Sequence, residues 1–144
     1  MQFTPEMQSR YMRIPFIPHG RGYDGCDCGG LVWLVYKNEL GIELPDWRKL
    51  YEGTTIQHSL ELEDAVSTML GENGIEIPFS EIRPFDVVAF EIAGEPIHVG
   101  LAVNNKVFMH IMQGRTRACC ERFDSFQWRK RISGCYRHAE MFSK

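Results

Sequence analysis

Long apolar runs and an excess of basic charge are both missing from this sequence. No stretch approaches the about 20 consecutive apolar residues that a membrane-spanning helix needs. The 16 Lys and Arg are outnumbered by 19 Asp and Glu, so the formal net charge is −3. No overall basic field therefore favours nucleic acid, and the basic triplet Arg129–Arg131 is expected to form a solvated face. With 44% hydrophobic and 24% charged residues, the composition is typical of a soluble globular protein.

A secretory signal and a disulfide framework are not predicted either. The opening segment MQFTPEMQSRYMR is interrupted by charged residues and a proline, unlike the apolar core of a secretory signal. We therefore expect synthesis in the cytoplasm, and any work outside it would need delivery by a larger assembly or release by lysis. The five cysteines are an odd number without regular spacing, which favours reduced thiols.

Zinc is the alternative use of these cysteines. The pairs Cys26–Cys28 and Cys119–Cys120 lack the spacers of about two to four residues that usually separate zinc ligands. We therefore predict neither a metal nor another cofactor.

The length and the apolar pattern predict one α+β domain over residues 1–144. Residues 1–14 are expected to be an irregular lead, since Pro5 and later prolines exclude a long helix. Apolar spacing predicts a helix over 29–40, which Gly41 ends, and a second helix over 60–70. An antiparallel sheet of roughly five strands should follow, formed by Val87–Ile92, Ile97–Val103, Val107–Met112, Thr116–Phe123 and Ile132–Arg137.

Cys28 lies at the start of the first predicted helix, between Asp27 and two glycines. Unsatisfied N–H groups and the positive end of the helix dipole favour a thiolate there. Gly29 and Gly30 leave the backbone open, so a substrate carbonyl could reach the N–H groups as in an oxyanion hole. Cys28 is therefore a candidate nucleophile that needs a base. A buried structural thiol is the alternative.

His98 lies inside a predicted strand whose two faces differ in composition. The odd positions of residues 97–103 are apolar, whereas the even positions hold His98, Gly100 and Ala102. We expect the odd face to lie in the core. The even face is nearly bare apart from the imidazole, so we expect the helix that carries Cys28 to approach it closely.

The loop between this strand and the next decides whether His98 can meet His110. A three-residue loop over 104–106 places His110 opposite Gly100 and diagonal to His98, with roughly 7–8 Å between the backbones. A two-residue loop would place His110 on the other face. The chemistry therefore predicts the three-residue loop.

Five segments in a fixed order resemble the NlpC-type cell-wall peptidases: DCGGLVWLVYKNELGIELP, PFDVVAF, IHVGLAV, NNKVFMHI and WRKRISGCYRH. The resemblance runs from about Pro15 to Arg137. It is strongest to the branch found in tailed-phage tail modules and gene transfer agents, in which HGR precedes G-x-DC, as in HGRGYDGCDC here. Two departures are Gly29, where the family usually has serine, and PFD in place of P-G-D, which looks tolerable in a turn.

The resemblance implies a papain-like cysteine peptidase or amidase that hydrolyses peptidoglycan stem peptides, typically at the bond between D-γ-glutamate and the diamino acid. It implies Cys28 as the nucleophile, His98 as the general base and His110 as the residue that orients His98. The residues implied at the substrate site are Tyr23, Asp27 and Gly29.

The partners expected on the same ground are the peptidoglycan peptide and phage tail or tail-tip proteins. No wall-binding repeat is visible, so a partner would bring the domain to the bacterial wall. Neither nucleic acid nor membrane insertion is expected. Two alternatives remain open: a structural tail-tip or assembly protein that keeps the fold without catalysis, and another acyl transfer by the same residues.

Overall fold

The structure is a computed structural model that describes residues 1–45, 70, 74–92, 98–114 and 117–143. Its helices are α1 (Pro5–Tyr11) and α2 (Cys28–Val35), and a π-helical turn over Tyr36–Leu40 continues α2. The strands are β1 (Arg21–Gly22), β2 (Gly25–Cys26), β3 (Gly74–Ile77), β4 (Val87–Phe90), β5 (His98–Ala102), β6 (Val107–His110), β7 (Cys119–Arg122) and β8 (Ile132–His138). The helix predicted over 60–70 lies outside the described residues, apart from Leu70.

The first residues are not the irregular lead that was predicted. Thr4 caps α1, because its Oγ1 accepts a hydrogen bond from the backbone N–H of Met7 at 3.2 Å. Pro5 occupies the first helical position, where its missing N–H costs nothing, and Glu6 follows in the first turn. The prediction was wrong because Pro5 starts this helix rather than interrupting one.

The predicted helix at Cys28 is confirmed, and so is its stop. Its buried side chains are Leu31, Val32, Leu34 and Val35. Gly41 follows the π-helical turn with φ of 68°, the left-handed conformation that commonly ends a helix.

Six of the described strands form one antiparallel sheet in the order β3-β8-β4-β5-β6-β7, and β1 pairs with β2 in a separate ribbon. Strands β4 to β7 are the predicted meander. β8 leaves that meander to pair with β4 and with β3. β3 was not predicted because it has only four residues, in which the alternation is limited to Ile75, Glu76 and Ile77.

The turn before β4 explains one departure from the family pattern. The N–H of Asp86 donates to the carbonyl of Arg83 at 3.1 Å, and Phe85 in between has φ of 73°. Glycine is favoured at such a position, and the family usually has it there. The Phe85 ring is buried and stacks on Phe3 with 4.7 Å between the ring centroids. The turn therefore accommodates PFD, as expected.

Helix α2 packs on the opposite face of β5 from the one expected. α2 contacts β5, and its buried residues share a core cluster with Val99 and Leu101 at odd positions. The even-position residue Ala102 belongs to the other core cluster, together with Trp128. The expectation was wrong because aromatic side chains from elsewhere in the chain fill the space that the small residues leave.

Candidate active site

Cys28 is the first residue of α2, and Asp27 fixes the start of this helix. Oδ1 of Asp27 accepts hydrogen bonds from the N–H of Gly30 at 2.7 Å and from Nη1 of Arg21 at 2.8 Å. Its Oδ2 accepts from the backbone N–H of His19 at 3.1 Å. An aspartate before a helix is a favoured N-cap. The carboxylate therefore positions Cys28 through bonds within the chain.

Gly30 allows the segment before β1 to lie directly against the helix start. A Cβ atom at Gly30 would lie 1.9 Å from the carbonyl oxygen of Gly20, a backbone atom that has no room to move. Only glycine fits this close approach. The first turn of α2 is therefore held on two sides, by the Asp27 cap and by the Gly20 backbone.

The cysteines differ in exposure and in the protonation of their thiols. Burial raises the pKa of Cys26 to about 12 and that of Cys135 to about 12. Burial and the neighbouring Cys119 raise the pKa of Cys120 to about 11. Because the thiolate is the reactive form, these three are poor nucleophiles near neutral pH. Cys28 is partly exposed and begins a helix, which is the setting that favours a thiolate.

The hairpin between β5 and β6 has the predicted three-residue loop. Leu101 pairs with Met109, so the same register places Gly100 opposite His110. The N–H of Val107 donates to Oδ1 of Asn104 at 2.9 Å, which closes the loop. His98 and His110 therefore lie on one face of the sheet, as the loop length predicted.

The two histidine rings are in direct contact. Nε2 of His98 lies 2.7 Å from Nδ1 of His110, a hydrogen-bond distance. The rings meet edge to face, with 5.0 Å between their centroids. Both residues are buried, at 1% and 0% exposure. The predicted meeting of His98 and His110 on neighbouring strands is confirmed.

A carboxylate that was not predicted from the sequence lies behind His110. Oε2 of Glu121 is 2.5 Å from Nε2 of His110. The register of β6 and β7 pairs His110 with Cys119, so Glu121, two residues further on, shares that face. Only this register, which the residues between the strands set, could have pointed to Glu121.

An aromatic box encloses the two imidazoles. Trp128 is buried and stacks on His98 at 5.7 Å between centroids, with its plane nearly perpendicular to that of His110 at 5.0 Å. Phe90 and Phe108 complete the box, at 5.7 Å from His98 and 4.8 Å from His110 respectively. Trp128 belongs to the same buried core cluster as Phe90 and Phe108. Its contacts additionally hold both rings in place.

This enclosure controls the charge on His98. Burial first, and the neighbouring His110 second, lower the pKa of His98 to about 3. Loss of water around an imidazole disfavours its charged form. His98 is therefore neutral near neutral pH, which is the state that a general base requires.

The residues implied at the substrate site differ in their positions. Gly29 is buried in the first turn of α2, next to Cys28. The hydroxyl of Tyr23 accepts a hydrogen bond from Nδ2 of Asn38 at 2.9 Å. Asn38 follows Cys28 by ten residues, which corresponds to about 15 Å along a helix. The structure thus places Gly29 beside the candidate nucleophile and the Tyr23 hydroxyl at the far end of the helix.

One group among the described residues has the composition of a metal site. The candidate ligand atoms of His110, Cys119 and Glu121 lie within 4.8 Å of one another. A metal there would have to replace the hydrogen bond between His110 and Glu121. We therefore assign these two residues to hydrogen bonding with each other.

Surface features agree with the composition. Arg129, Lys130 and Arg131 are exposed, as predicted for a solvated face. Within the described ranges, no helix has both the length and the apolar character required to span a membrane.

The profile of the NlpC/P60 family matches residues 13–137, a span that contains Cys28, His98 and His110. The chain belongs to the NlpC/P60 family. This family generally comprises cysteine peptidases and peptidoglycan hydrolases. No curated protein matches the chain.

Solved structures show the same papain-like fold. An NlpC/P60 family protein from Bacillus cereus superimposes with a TM-score of 0.67 at 16% identity, over 93% of this chain and 38% of that one. NlpC2 from Trichomonas vaginalis gives 0.63 at 22% identity, over 92% and 44% of the two chains. The NlpC/p60 domain of the peptidoglycan hydrolase SagA gives 0.60 at 19% identity, over 90% and 91%. The predicted α+β fold is confirmed, and this chain spans less than half of the first two relatives.

Proposed function

We propose that this NlpC/P60 protein is a cysteine endopeptidase that hydrolyses peptidoglycan stem peptides, with Cys28 as nucleophile, His98 as general base and His110 as the orienting residue. The observation that carries the proposal is the hydrogen-bonded pair of His98 and His110. α2 contacts β5 through the odd-numbered face of the strand, opposite to His98, so the pairing of Cys28 with His98 in this proposal rests on the family pattern in the sequence. A cysteine, a base and a residue that orients the base form the catalytic arrangement of papain-like enzymes.

The hydrogen bond between the histidines assigns the ring nitrogens their tasks. Nε2 of His98 is bonded to His110, so Nδ1 is the nitrogen that takes the proton of the Cys28 thiol. The thiolate then attacks the scissile carbonyl carbon. His98 returns the proton to the leaving amine, and water hydrolyses the resulting thioester with His98 again acting as base.

The first turn of α2 supplies a donor for the oxyanion. The N–H of Gly30 donates to Oδ1 of Asp27, and that of Leu31 to the carbonyl of Asp27 at 3.0 Å. We therefore propose that the N–H of Gly29, at the positive end of the helix, donates a hydrogen bond to the oxyanion. The role of Asp27 at the substrate site is consistent with its hydrogen bonds, because these bonds hold the first turn of α2 in place.

The cleaved bond and the route to the wall rest on the resemblance in sequence. The NlpC-type pattern supports cleavage between D-γ-glutamate and the diamino acid. The HGR segment before G-x-DC supports delivery by a phage tail or a similar particle. In this proposal the protein is made in the cytoplasm and acts at the bacterial wall as a tail component.

Digestion of defined muropeptides by wild type, Cys28→Ser and Cys119→Ser tests the proposal. Cys119 is the matched control because it is also partly exposed but lies in a strand. Mass spectrometry should show cleavage at the D-γ-glutamyl bond by wild type and Cys119→Ser, and none by Cys28→Ser. Cleavage by Cys28→Ser at the wild-type rate would refute the nucleophile. A folded wild-type protein that cuts no muropeptide would favour the non-catalytic tail component.

A further inference from the structure

We infer that Glu121 is a positioning residue, which acts through His110 to set the proton arrangement that leaves Nδ1 of His98 basic. The inference rests on the proposed function for its effect on catalysis. Its structural part concerns only which ring nitrogens carry protons, and that part can be measured separately.

The three side chains form one line across three neighbouring strands. Nε2 of His98 on β5 meets Nδ1 of His110 on β6 at 2.7 Å, and Nε2 of His110 meets Oε2 of Glu121 on β7 at 2.5 Å. The imidazole of His110 is fully buried, and the side chain of Glu121 is 21% exposed. The line therefore begins at a partly solvated carboxylate and ends at the candidate base.

Without the carboxylate, the contact between the two histidines permits two proton arrangements. In one, Nε2–H of His98 donates to Nδ1 of His110, and Nδ1 of His98 keeps its lone pair. In the other, Nδ1–H of His110 donates to Nε2 of His98. The single proton of the His98 ring then sits on Nδ1 of His98. Both arrangements satisfy the same distance of 2.7 Å. Only the first leaves His98 able to accept the proton of the Cys28 thiol.

Glu121 selects between these arrangements. An ionised carboxylate accepts hydrogen bonds and donates none, so Nε2 of His110 carries a proton. When His110 is neutral its ring has a single N–H, and with that proton on Nε2, Nδ1 of His110 accepts the bond from Nε2–H of His98. Nδ1 of His98 is then the unprotonated nitrogen. The carboxylate thus determines the protonation of a ring that it does not touch.

The negative charge of Glu121 also acts when the proton is transferred. His98 becomes positive inside the aromatic box, where burial disfavours a cation. A carboxylate bonded to the second ring offsets part of that cost. Glu121 therefore has two effects, on the direction of the hydrogen bonds before transfer and on the charge afterwards.

Nitrogen-15 NMR of histidine-labelled protein tests the structural part directly, because ring nitrogen shifts report which nitrogen is protonated. Samples contain a chelator, and His98→Gln and His110→Gln assign the signals. Wild type should show both rings protonated at Nε2. Glu121→Ala and Glu121→Gln should show mixed or reversed arrangements, because a glutamine amide can donate as well as accept. Wild-type His98 protonated at Nδ1, or arrangements unchanged in both variants, would overturn the inference.

Kinetics test the catalytic part on the same variants. We expect Glu121→Ala to lower kcat by about 10- to 100-fold, the range seen when the hydrogen-bond partner behind a metal-bound histidine is removed, with KM nearly unchanged. Glu121→Gln should fall between wild type and Glu121→Ala. Arg122→Gln, a change at the exposed residue that follows Glu121 on β7, should keep both kcat and the proton arrangement. Unchanged kcat in Glu121→Ala would overturn the catalytic part. Wild-type protein without peptidase activity would refute the proposed function, while NMR still decides the proton arrangement.

Discussion

Acidification should destabilise this protein through His98. Burial and the neighbouring His110 lower the pKa of His98 to about 3 in the folded state, against 6.5 for a free histidine. Between these two values the unfolded chain binds a proton at this residue and the folded chain does not. Stability therefore rises with pH across this window and is lost as the pH falls from 6.5 towards 3.

The size of the effect follows from the window. Each pH unit below the pKa of His98 in the unfolded chain removes about 1.4 kcal/mol of unfolding free energy. A change from about pH 7 to about pH 5 should therefore cost about 2 kcal/mol through His98 alone. That is a substantial part of the about 5–15 kcal/mol that stabilises a typical domain.

Urea unfolding of wild type and His98→Gln at both pH values measures this contribution. Glutamine does not titrate, so the variant should lose about 2 kcal/mol less than wild type on acidification. Tryptophan fluorescence can follow the transition because Trp128 lies in the core. The comparison between two pH values cancels any constant cost of the substitution. Equal losses in the two proteins would refute the claim that His98 is held neutral by burial.

Four further substitutions test other parts of the site. Cys28→Ala should abolish muropeptide cleavage without lowering the melting temperature, because the thiol is partly exposed, and retained turnover would contradict its role. Gly30→Ala should lower the free energy of unfolding in urea by about 1–3 kcal/mol, since the new Cβ meets the Gly20 backbone. Unchanged stability would show that the start of α2 can shift to accommodate the Cβ. Trp128→Leu should raise the pKa of His98 in an NMR titration as water enters, and an unmoved titration would contradict the role of the aromatic box. His110→Asn should keep more turnover than His110→Ala, because an amide can still bond Nε2 of His98, and the reverse order in kcat would exclude an orienting role.

Local rules were enough to predict the helix at Cys28 and the meeting of the two histidines. Alternation in a strand has a fixed period, and the length of a hairpin loop sets which face the next strand presents. Both rules use residues close together in the chain. The three-residue loop over 104–106 therefore predicted correctly that His98 and His110 lie on the same face of the sheet.

Glu121 could not be predicted in the same way. Its place behind His110 depends on the register of β6 and β7, which the residues between these strands set. That connection is longer than a tight turn, so its length does not determine which residues of β7 oppose β6. An acidic residue in a short edge strand has no local pattern that distinguishes it from a solvated charge.

The face of β5 around Gly100 shows how a correct pattern led to a wrong neighbour. Small residues on that face predicted the close approach of some other part of the molecule, and the helix at Cys28 was the neighbour expected there. In the structure, a Cβ at Gly100 would lie 3.1 Å from Cδ2 of Phe108 and 3.3 Å from Cβ of His110. The space belongs to the aromatic box and to the second histidine. Periodicity identifies a face that must stay bare, but only long-range packing decides what fills it. Here the aromatic side chains hold His98 and His110 together, and burial keeps His98 neutral.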